Sequence, residues 1–293
     1  MIELTYKNYF TVSGHGKKFN CNFEPLNEPF DNFFKESQKA AKIIWDNKQG
    51  PIQIMYSGGI DSEFMLSIFL SLKMKVTPVI IRLQPNYNDH DTVLAFKFCK
   101  DKGIKPTVID IEFDKFVDSG MLVEFAKNYK SDKYHMSALM HAISKLDGTI
   151  LCGGCEPYIR NENKTWVFEF SEYEWSTSHL FIEKNIPGTP NFNCWTKEQN
   201  ISFLLDPIMI DLAYNRVYGK LGSKSSKHIV YNRNNNFNLV NRPKLHGYEL
   251  IEQSEIFKHP AFKEVKKHGK KYNGLYSKNY FDFLKILGFH DNV

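Results

Sequence analysis

Tyr56-Ser57-Gly58-Gly59-Ile60-Asp61-Ser62 is the stretch from which the rest of the chain is read. A short apolar run, Pro51-Ile52-Gln53-Ile54-Met55, precedes it. Glu63-Phe64-Met65-Leu66-Ser67-Ile68-Phe69-Leu70-Ser71-Leu72 follows, with apolar residues at helical spacing. The order is strand, tight glycine turn, helix start. A helix N-terminus offers unpaired N–H groups and the positive end of the helix dipole. Two glycines let the backbone fold around an anion with no Cβ in the way. Ser57 and Ser62 add hydroxyls, and Asp61 adds a carboxylate able to hold Mg²⁺ on phosphate oxygens. These residue types in this order describe a phosphate site at the head of a helix.

Working outward, strand and helix signals alternate. A helix is expected over Pro29 to Lys48, where Phe30, Phe33, Phe34, Ala40, Ala41, Ile44 and Trp45 fall near one face. Val76 to Leu83, Lys105 to Ile111 and Thr149 to Cys152 read as strands. Asp89 to Lys102, Phe113 to Tyr129 and Tyr134 to Leu146 read as helices between them. Such alternation implies a parallel sheet with right-handed crossovers, whose ligand sits beyond the carboxyl ends of the strands. The glycine loop, Arg82-Leu83 and Gly153-Gly154 all lie at those ends and are expected to converge. Ile2 to Tyr6 and Lys18 to Phe23 alternate around the turn 13–16 and suggest a small N-terminal β element. Tyr158 to Arg160 and Thr165 to Phe170 read as an inserted hairpin. From Trp175 the pattern is helical, with short helices over Glu198 to Leu205, Pro207 to Val217 and Lys224 to Tyr231, an Asn-rich loop at 232–238, and two or three helices in 249–293. The expected organisation is a doubly wound α/β fold: an N-terminal β element and helix (1–48), a nucleotide-binding α/β domain (49–174) and a helical C-terminal part completing the substrate site (175–293).

The whole chain sets bounds. Its 293 residues, 42% hydrophobic and 15% aromatic, suffice for a substantial core. A net charge of +5 is a mild basic excess; it is compatible with nucleic acid or an acidic substrate and argues for neither. Five scattered cysteines do not form a disulfide framework, which fits a reducing cytoplasm. No apolar run reaches the roughly 18 residues of a membrane span, and the N-terminus has no signal-peptide pattern.

Ser57-Gly58-Gly59-Ile60-Asp61-Ser62 resembles the SGGxDS signature of the PP-loop ATP pyrophosphatases, and is not the GxxxxGK[ST] Walker loop. Two further stretches narrow the resemblance. Phe203-Leu204-Leu205-Asp206-Pro207-Ile208-Met209-Ile210-Asp211-Leu212-Ala213 looks like the "PFLD" helix of the synthetase domain of asparagine synthetase. Lys224 to Tyr231, followed by Asn241-Arg242-Pro243-Lys244-Leu245-His246-Gly247-Tyr248, looks like that domain's lysine-bearing helix and "RpKxGF" segment. The resemblance covers roughly residues 45–250. It implies an adenine nucleotide alpha hydrolase-like fold and cleavage of ATP between the α and β phosphates. Ser57, Gly58, Gly59, Ile60, Asp61 and Ser62 would bind the pyrophosphate portion, with adenine against the backbone near Arg82-Leu83 and Gly153-Gly154 beside the nucleotide. Asp61 would hold Mg²⁺, Glu156 would be a second metal ligand or the base, and Lys227 and Lys244, with Arg242 nearby, would be cations for the charge that develops at phosphorus.

The chain departs from that pattern in two places. Where the family carries an SGEGxDE-like motif, the text is Leu151-Cys152-Gly153-Gly154-Cys155-Glu156-Pro157-Tyr158, with one acid and two new cysteines. Cys152 and Cys155 could ligate a metal or run redox chemistry, or be small residues packed under a nucleotide. The second residue is Ile2, not the cysteine nucleophile of a glutaminase domain, so glutamine hydrolysis by this chain is not expected. The expected function is an AMP- and pyrophosphate-forming ligase that adenylates a carboxylate or amide oxygen for attack by ammonia or an amine. Its partners would be a small-molecule acid and an amine. The alternative is a PP-loop enzyme that adenylates a nucleic-acid base before amine or sulfur transfer, and a third is a nucleotide-binding module without catalysis.

Overall fold

The structure, a computed structural model, describes residues 10–13, 18–21, 29–153, 158–162, 165–170, 173–215, 222–240, 248–269, 276–279, 282 and 285. In chain order, β1 (Phe10–Ser13) and β2 (Lys18–Cys21) pair antiparallel, Phe10 opposite Cys21. The N-terminal hairpin therefore uses 10–13 as its first strand; the expected partner, 2–6, lies outside the described residues. Next come α1 (Phe33–Asp46), β3 (Ile52–Met55), α2 (Ile60–Ser71), β4 (Val76–Gln84), α3 (Asp89–Asp101) and β5 (Thr107–Glu112). Then follow α4 (Phe113–Asp118), α5 (Met121–Asn128), α6 (Tyr134–Ile143), β6 (Thr149–Leu151), the hairpin β7 (Tyr158–Glu162) and β8 (Thr165–Phe170), α7 (Tyr173–Lys184) and β9 (Gly188–Thr189). The chain continues through α8 (Lys197–Leu204), α9 (Pro207–Asn215), α10 (Gly222–Asn232), α11 (Glu249–Gln253), α12 (Pro260–Gly269) and β10 (Tyr276–Asn279).

Five parallel strands form the central sheet in the order β5-β4-β3-β6-β9. The chain starts in the middle, winds outward to β5, then returns past β3 to wind the other way. The topological switch therefore falls between β3 and β6, where an open α/β sheet leaves a crevice for ligand. Strand alternation sorts side chains onto two faces. Ile52, Ile54, Ile80 and Leu151 face one core, built with Phe33, Ala40 and Ala41 of α1, Phe64 and Ile68 of α2, and Phe203 and Tyr231 of α8 and α10. Met55, Val79, Leu83 and Ile150 face a second core with Phe113, Leu122, Ala138, Leu180 and Phe262 of α4, α5, α6, α7 and α12. Helices thus cover both faces, the doubly wound arrangement.

Four elements differ from the sequence reading. The helix expected over Phe113 to Tyr129 is two, because Gly120 adopts φ +81, a left-handed conformation that breaks the helical path. The part after Trp175 is not wholly helical: Gly188–Thr189 adds the fifth sheet strand, and Tyr276–Asn279 pairs antiparallel with β8 to make a three-stranded sheet β10-β8-β7. A two-residue strand is too short to show a period, and the polar β10 has no apolar alternation to read. Helix α2 begins at Ile60, three residues before the apolar pattern, so half of the glycine stretch is the helix's own first turn. No helix among the described residues is long and apolar enough to cross a membrane.

Candidate active site

β3 hands the chain directly to the glycine loop at the switch point. Tyr56 N–H still bonds Val79 O at 2.8 Å, so the loop leaves the sheet from a fixed edge. Gly58 then takes φ +75. A Cβ there would lie 2.9 Å from Asp91 O and 3.0 Å from Ala95 N, so the loop presses backbone to backbone on the first turns of α3. Gly59 is the N-cap of α2 and brings no capping side chain. The first helical bond is Glu63 N–H to Gly59 O, 3.0 Å. The N–H groups of Ile60, Asp61 and Ser62 precede it and are not used by the helix. Gly153, just past β6, comes equally close: its Cβ would meet Ser62 N at 3.1 Å and the Asp61 carbonyl carbon at 3.2 Å. The glycine loop and Gly153 therefore do converge, and a side chain at 153 would press on the backbone of Asp61 and Ser62.

The two serines hold the loop to itself. Ser62 Oγ donates to Gly59 O at 2.9 Å and accepts from Ser57 N–H at 3.3 Å, and the two hydroxyls are 3.3 Å apart. Ser57 is exposed and Ser62 buried.

Asp61 is the electrostatic centre. Lys227 Nζ lies 2.7 Å from Asp61 Oδ2, and Tyr231 Oη donates to Asp61 Oδ1 at 2.8 Å. Lys227 and Tyr231 are one helical turn apart on α10, so a single helix face reaches Asp61 twice. That face is held by packing: the Tyr231 ring stacks on Phe64 of α2 at 4.5 Å and 13°, and on Phe33 of α1 at 5.8 Å and 14°. Asn193, fully buried on a short 3₁₀ turn, donates to Asp61 O at 3.3 Å; its Oδ1 has no partner among the described residues. The site thus joins α2, α10 and the turn 192–194.

Of the residues expected at the site, Ser57, Gly58, Gly59, Ile60, Asp61, Ser62, Gly153 and Lys227 meet here. Gly154, Cys155, Glu156, Arg242 and Lys244 lie outside the described residues. Arg82 is turned to the outer edge of the sheet, where its Nε and Nη2 bond both carboxylate oxygens of Asp110 at 2.7 and 2.8 Å. That pairing holds the Asp110 carboxyl below its usual range. Leu83 is buried, its N–H bonded to Asn88 Oδ1 at 2.8 Å and its C=O to Tyr87 N–H at 2.8 Å. Tyr231 and Asn193 were not singled out from the sequence. Tyr231 had a signal, its i+4 spacing from Lys227; Asn193 had none in an Asn-rich chain.

Cys152 is 6% exposed, and burial pushes its thiol up to about 12. A neutral thiol is a poor metal ligand and a poor redox centre, so at Cys152 the packing reading fits. Among the described residues there is no group of three or more His, Cys, Asp or Glu side chains that could hold a metal. Mg²⁺ asks for less, because it binds through one or two carboxylates with substrate phosphates and water completing the shell. Asp61 beside the open N–H groups of α2 fits that requirement.

No protein-family model and no curated protein matches this sequence. Among solved structures, the chain is similar to an NH3-dependent NAD synthetase from Campylobacter jejuni, with 14% identity, 90% of this chain and 99% of that one covered, and a TM-score of 0.36. It is also similar to a predicted subunit of tRNA methyltransferase from Methanocaldococcus jannaschii, with 18% identity, 52% and 72% covered, and a TM-score of 0.32.

Proposed function

We propose that this chain is an ATP-dependent ligase that releases AMP and pyrophosphate and forms an amide. The observation that carries the reading is the glycine loop at the head of α2 with Asp61 gripped by Lys227 and Tyr231. The resemblance of 203–213 and 224–248 to asparagine synthetase supports amidation in particular.

The N–H groups of Ile60, Asp61 and Ser62 and the Ser57 hydroxyl take the β and γ phosphates, where helix-end dipoles and backbone donors favour anions. Asp61 would hold Mg²⁺, which supplies positive charge against the phosphate oxygens. Lys227 Nζ, 2.7 Å from Asp61 Oδ2, stands at the same helix end and is assigned to the phosphate as its cation. A fixed cation at that place stabilises charge that grows in the transition state. A carboxylate oxygen of the acid attacks the α-phosphorus, forming O–P as the bond to the β-phosphate oxygen breaks and pyrophosphate leaves. Ammonia or an amine attacks the acyl carbon, loses a proton, and AMP leaves with the former carboxylate oxygen. Glu156 is assigned to the second metal contact or to that proton, and Lys244 to a second phosphate cation. Adenine is assigned to the backbone near Arg82-Leu83, at the end of β4.

The test is pyrophosphate release from ATP·Mg²⁺ across a panel of amino acids with ammonium, wild type against Asp61→Asn. Release that needs one acid, an amine and Asp61 supports the reading. ATP binding without pyrophosphate release in any acid–amine pair counts against it.

A further inference from the structure

Beyond Val79, β4 outruns its neighbour. The β3 ladder ends at Met55 opposite Val79, while β5 stays paired as far as Gln84 opposite Glu112. The β3-facing edge of Ile81 and Leu83 is thus left beside the glycine loop. One side chain closes it. Asn88 Nδ2 donates to Ile81 O at 2.8 Å, and Asn88 Oδ1 accepts from Leu83 N–H at 2.8 Å. The two backbone groups fix the orientation of the amide, since a C=O can only accept and an N–H only donate. Asn88 stands at the N-cap of α3, yet its side chain makes no cap bond there; it turns back to the strand instead. It is 9% exposed, and Asp91, three residues on, has its carbonyl against Gly58.

A carboxamide sets a donor beside an acceptor. So does the edge of adenine, an amino N–H next to a ring nitrogen, whereas guanine sets an acceptor where adenine has its donor. We infer that Asn88 is an internal stand-in for the adenine edge: it bonds the Ile81 C=O and Leu83 N–H pair that the base would take, and yields both bonds when an adenine nucleotide binds. The inference rests on the reading of the glycine loop as an ATP site. It adds a residue that sets base selectivity and taxes affinity, because the nucleotide must displace a bonded side chain. On its N1 edge guanine would meet Ile81 O with an acceptor and Leu83 N–H with a donor, and on its N7 edge O6 would still face Ile81 O acceptor to acceptor, so it cannot take over the pair.

The experiment measures dissociation constants of ATP·Mg²⁺ and GTP·Mg²⁺ by calorimetry for wild type and Asn88→Ala, with circular dichroism to confirm the fold. Removing the competitor should tighten ATP by about tenfold and leave GTP nearly unchanged, raising the ATP-over-GTP preference by the same factor. A preference unchanged or lowered in Asn88→Ala overturns the inference while leaving the ATP site standing. Failure of wild type and variant to bind either nucleotide overturns both. A second measurement needs no variant: in the ¹⁵N spectrum of the wild type, the Asn88 side-chain amide protons should be protected from solvent exchange when free and lose that protection with ATP·Mg²⁺ bound. Protection retained at saturating ATP overturns the displacement.

Discussion

Asp61 carries the charge around which the site is arranged, and Tyr231 is the residue that tests how tightly it must be held. Tyr231→Phe keeps the ring stacks on Phe64 and Phe33 and removes the hydroxyl that donates to Asp61 Oδ1 and accepts from Asn193 Nδ2 at 3.4 Å. Stability should fall by about 1–2 kcal/mol, the usual worth of such bonds, while pyrophosphate release slows by about tenfold. Urea unfolding and initial rates check the two effects separately; an unchanged rate would make the bond structural only. Gly58→Ala would force φ +75 on an L residue and drive its Cβ against Asp91 O. A loss of about 1–3 kcal/mol is expected in thermal unfolding, and an unchanged melting temperature would contradict the tight loop geometry. Cys152, with its thiol pushed up to about 12, should resist iodoacetamide at pH 8 in the folded protein and label fully in denaturant. The glycine turn and the helix start at Asp61 were legible from the sequence because few residue types suit so tight a strand-to-helix junction. Tyr231 and Asn193 were not, because their roles come from the packing of α10 and the turn 192–194 against α2.

Helices decide which side chains meet. α10 brings Lys227 and Tyr231 to Asp61 because their i, i+4 spacing puts both on one face, and the aromatic stack beneath Tyr231 fixes the depth of that face. Each such ring pair adds about 0.5–1.5 kcal/mol beyond area burial, so α10 is held by packing before any ligand arrives. α6 offers a separate test through His141, which packs at 5.0 Å from Phe116 and 5.4 Å from Phe125. Burial, with Lys145 adding repulsion, lowers its pKa. Below the ordinary imidazole value of about 6.5, the unfolded chain takes up a proton that the folded chain refuses. Stability should therefore fall as pH drops through that value, and the contribution is absent above it, where both states are neutral. Urea midpoints at pH 7.5 and 5.5 should drop less in His141→Gln than in wild type; an equal drop would assign the pH effect elsewhere. At this scale the sequence was most legible where apolar periods were long, as in α1, α2 and β4. It was least legible at Gly120, where one backbone angle splits a helix without interrupting its apolar pattern.

Among the described residues the central sheet is wound from its middle strand, with a core on each face and a crevice at the switch point. The β3–α2 junction and β6 lie together only because the chain reverses its winding direction at β3, and that reversal follows from alternating strands and helices. β9 and β10 escaped the sequence because their places are set by neighbours already formed, β6 and β8, and not by patterns of their own. A ligand that binds this crevice only in the folded chain must stabilise it. ATP·Mg²⁺ at a hundred times its dissociation constant should add about 2.7 kcal/mol, seen as a concentration-dependent rise in melting temperature, and Asp61→Asn should blunt it.

The central claim is that the loop at the head of α2 positions ATP for cleavage between its α and β phosphates. The most direct measurement follows both ends of the nucleotide, using ATP labelled at the α-phosphate and ATP labelled at the γ-phosphate, with the acid and ammonium present. Cleavage at that bond gives labelled AMP from the first, labelled pyrophosphate from the second, and neither from Asp61→Asn. Labelled ADP and orthophosphate, or product formation indifferent to Asp61, would contradict it.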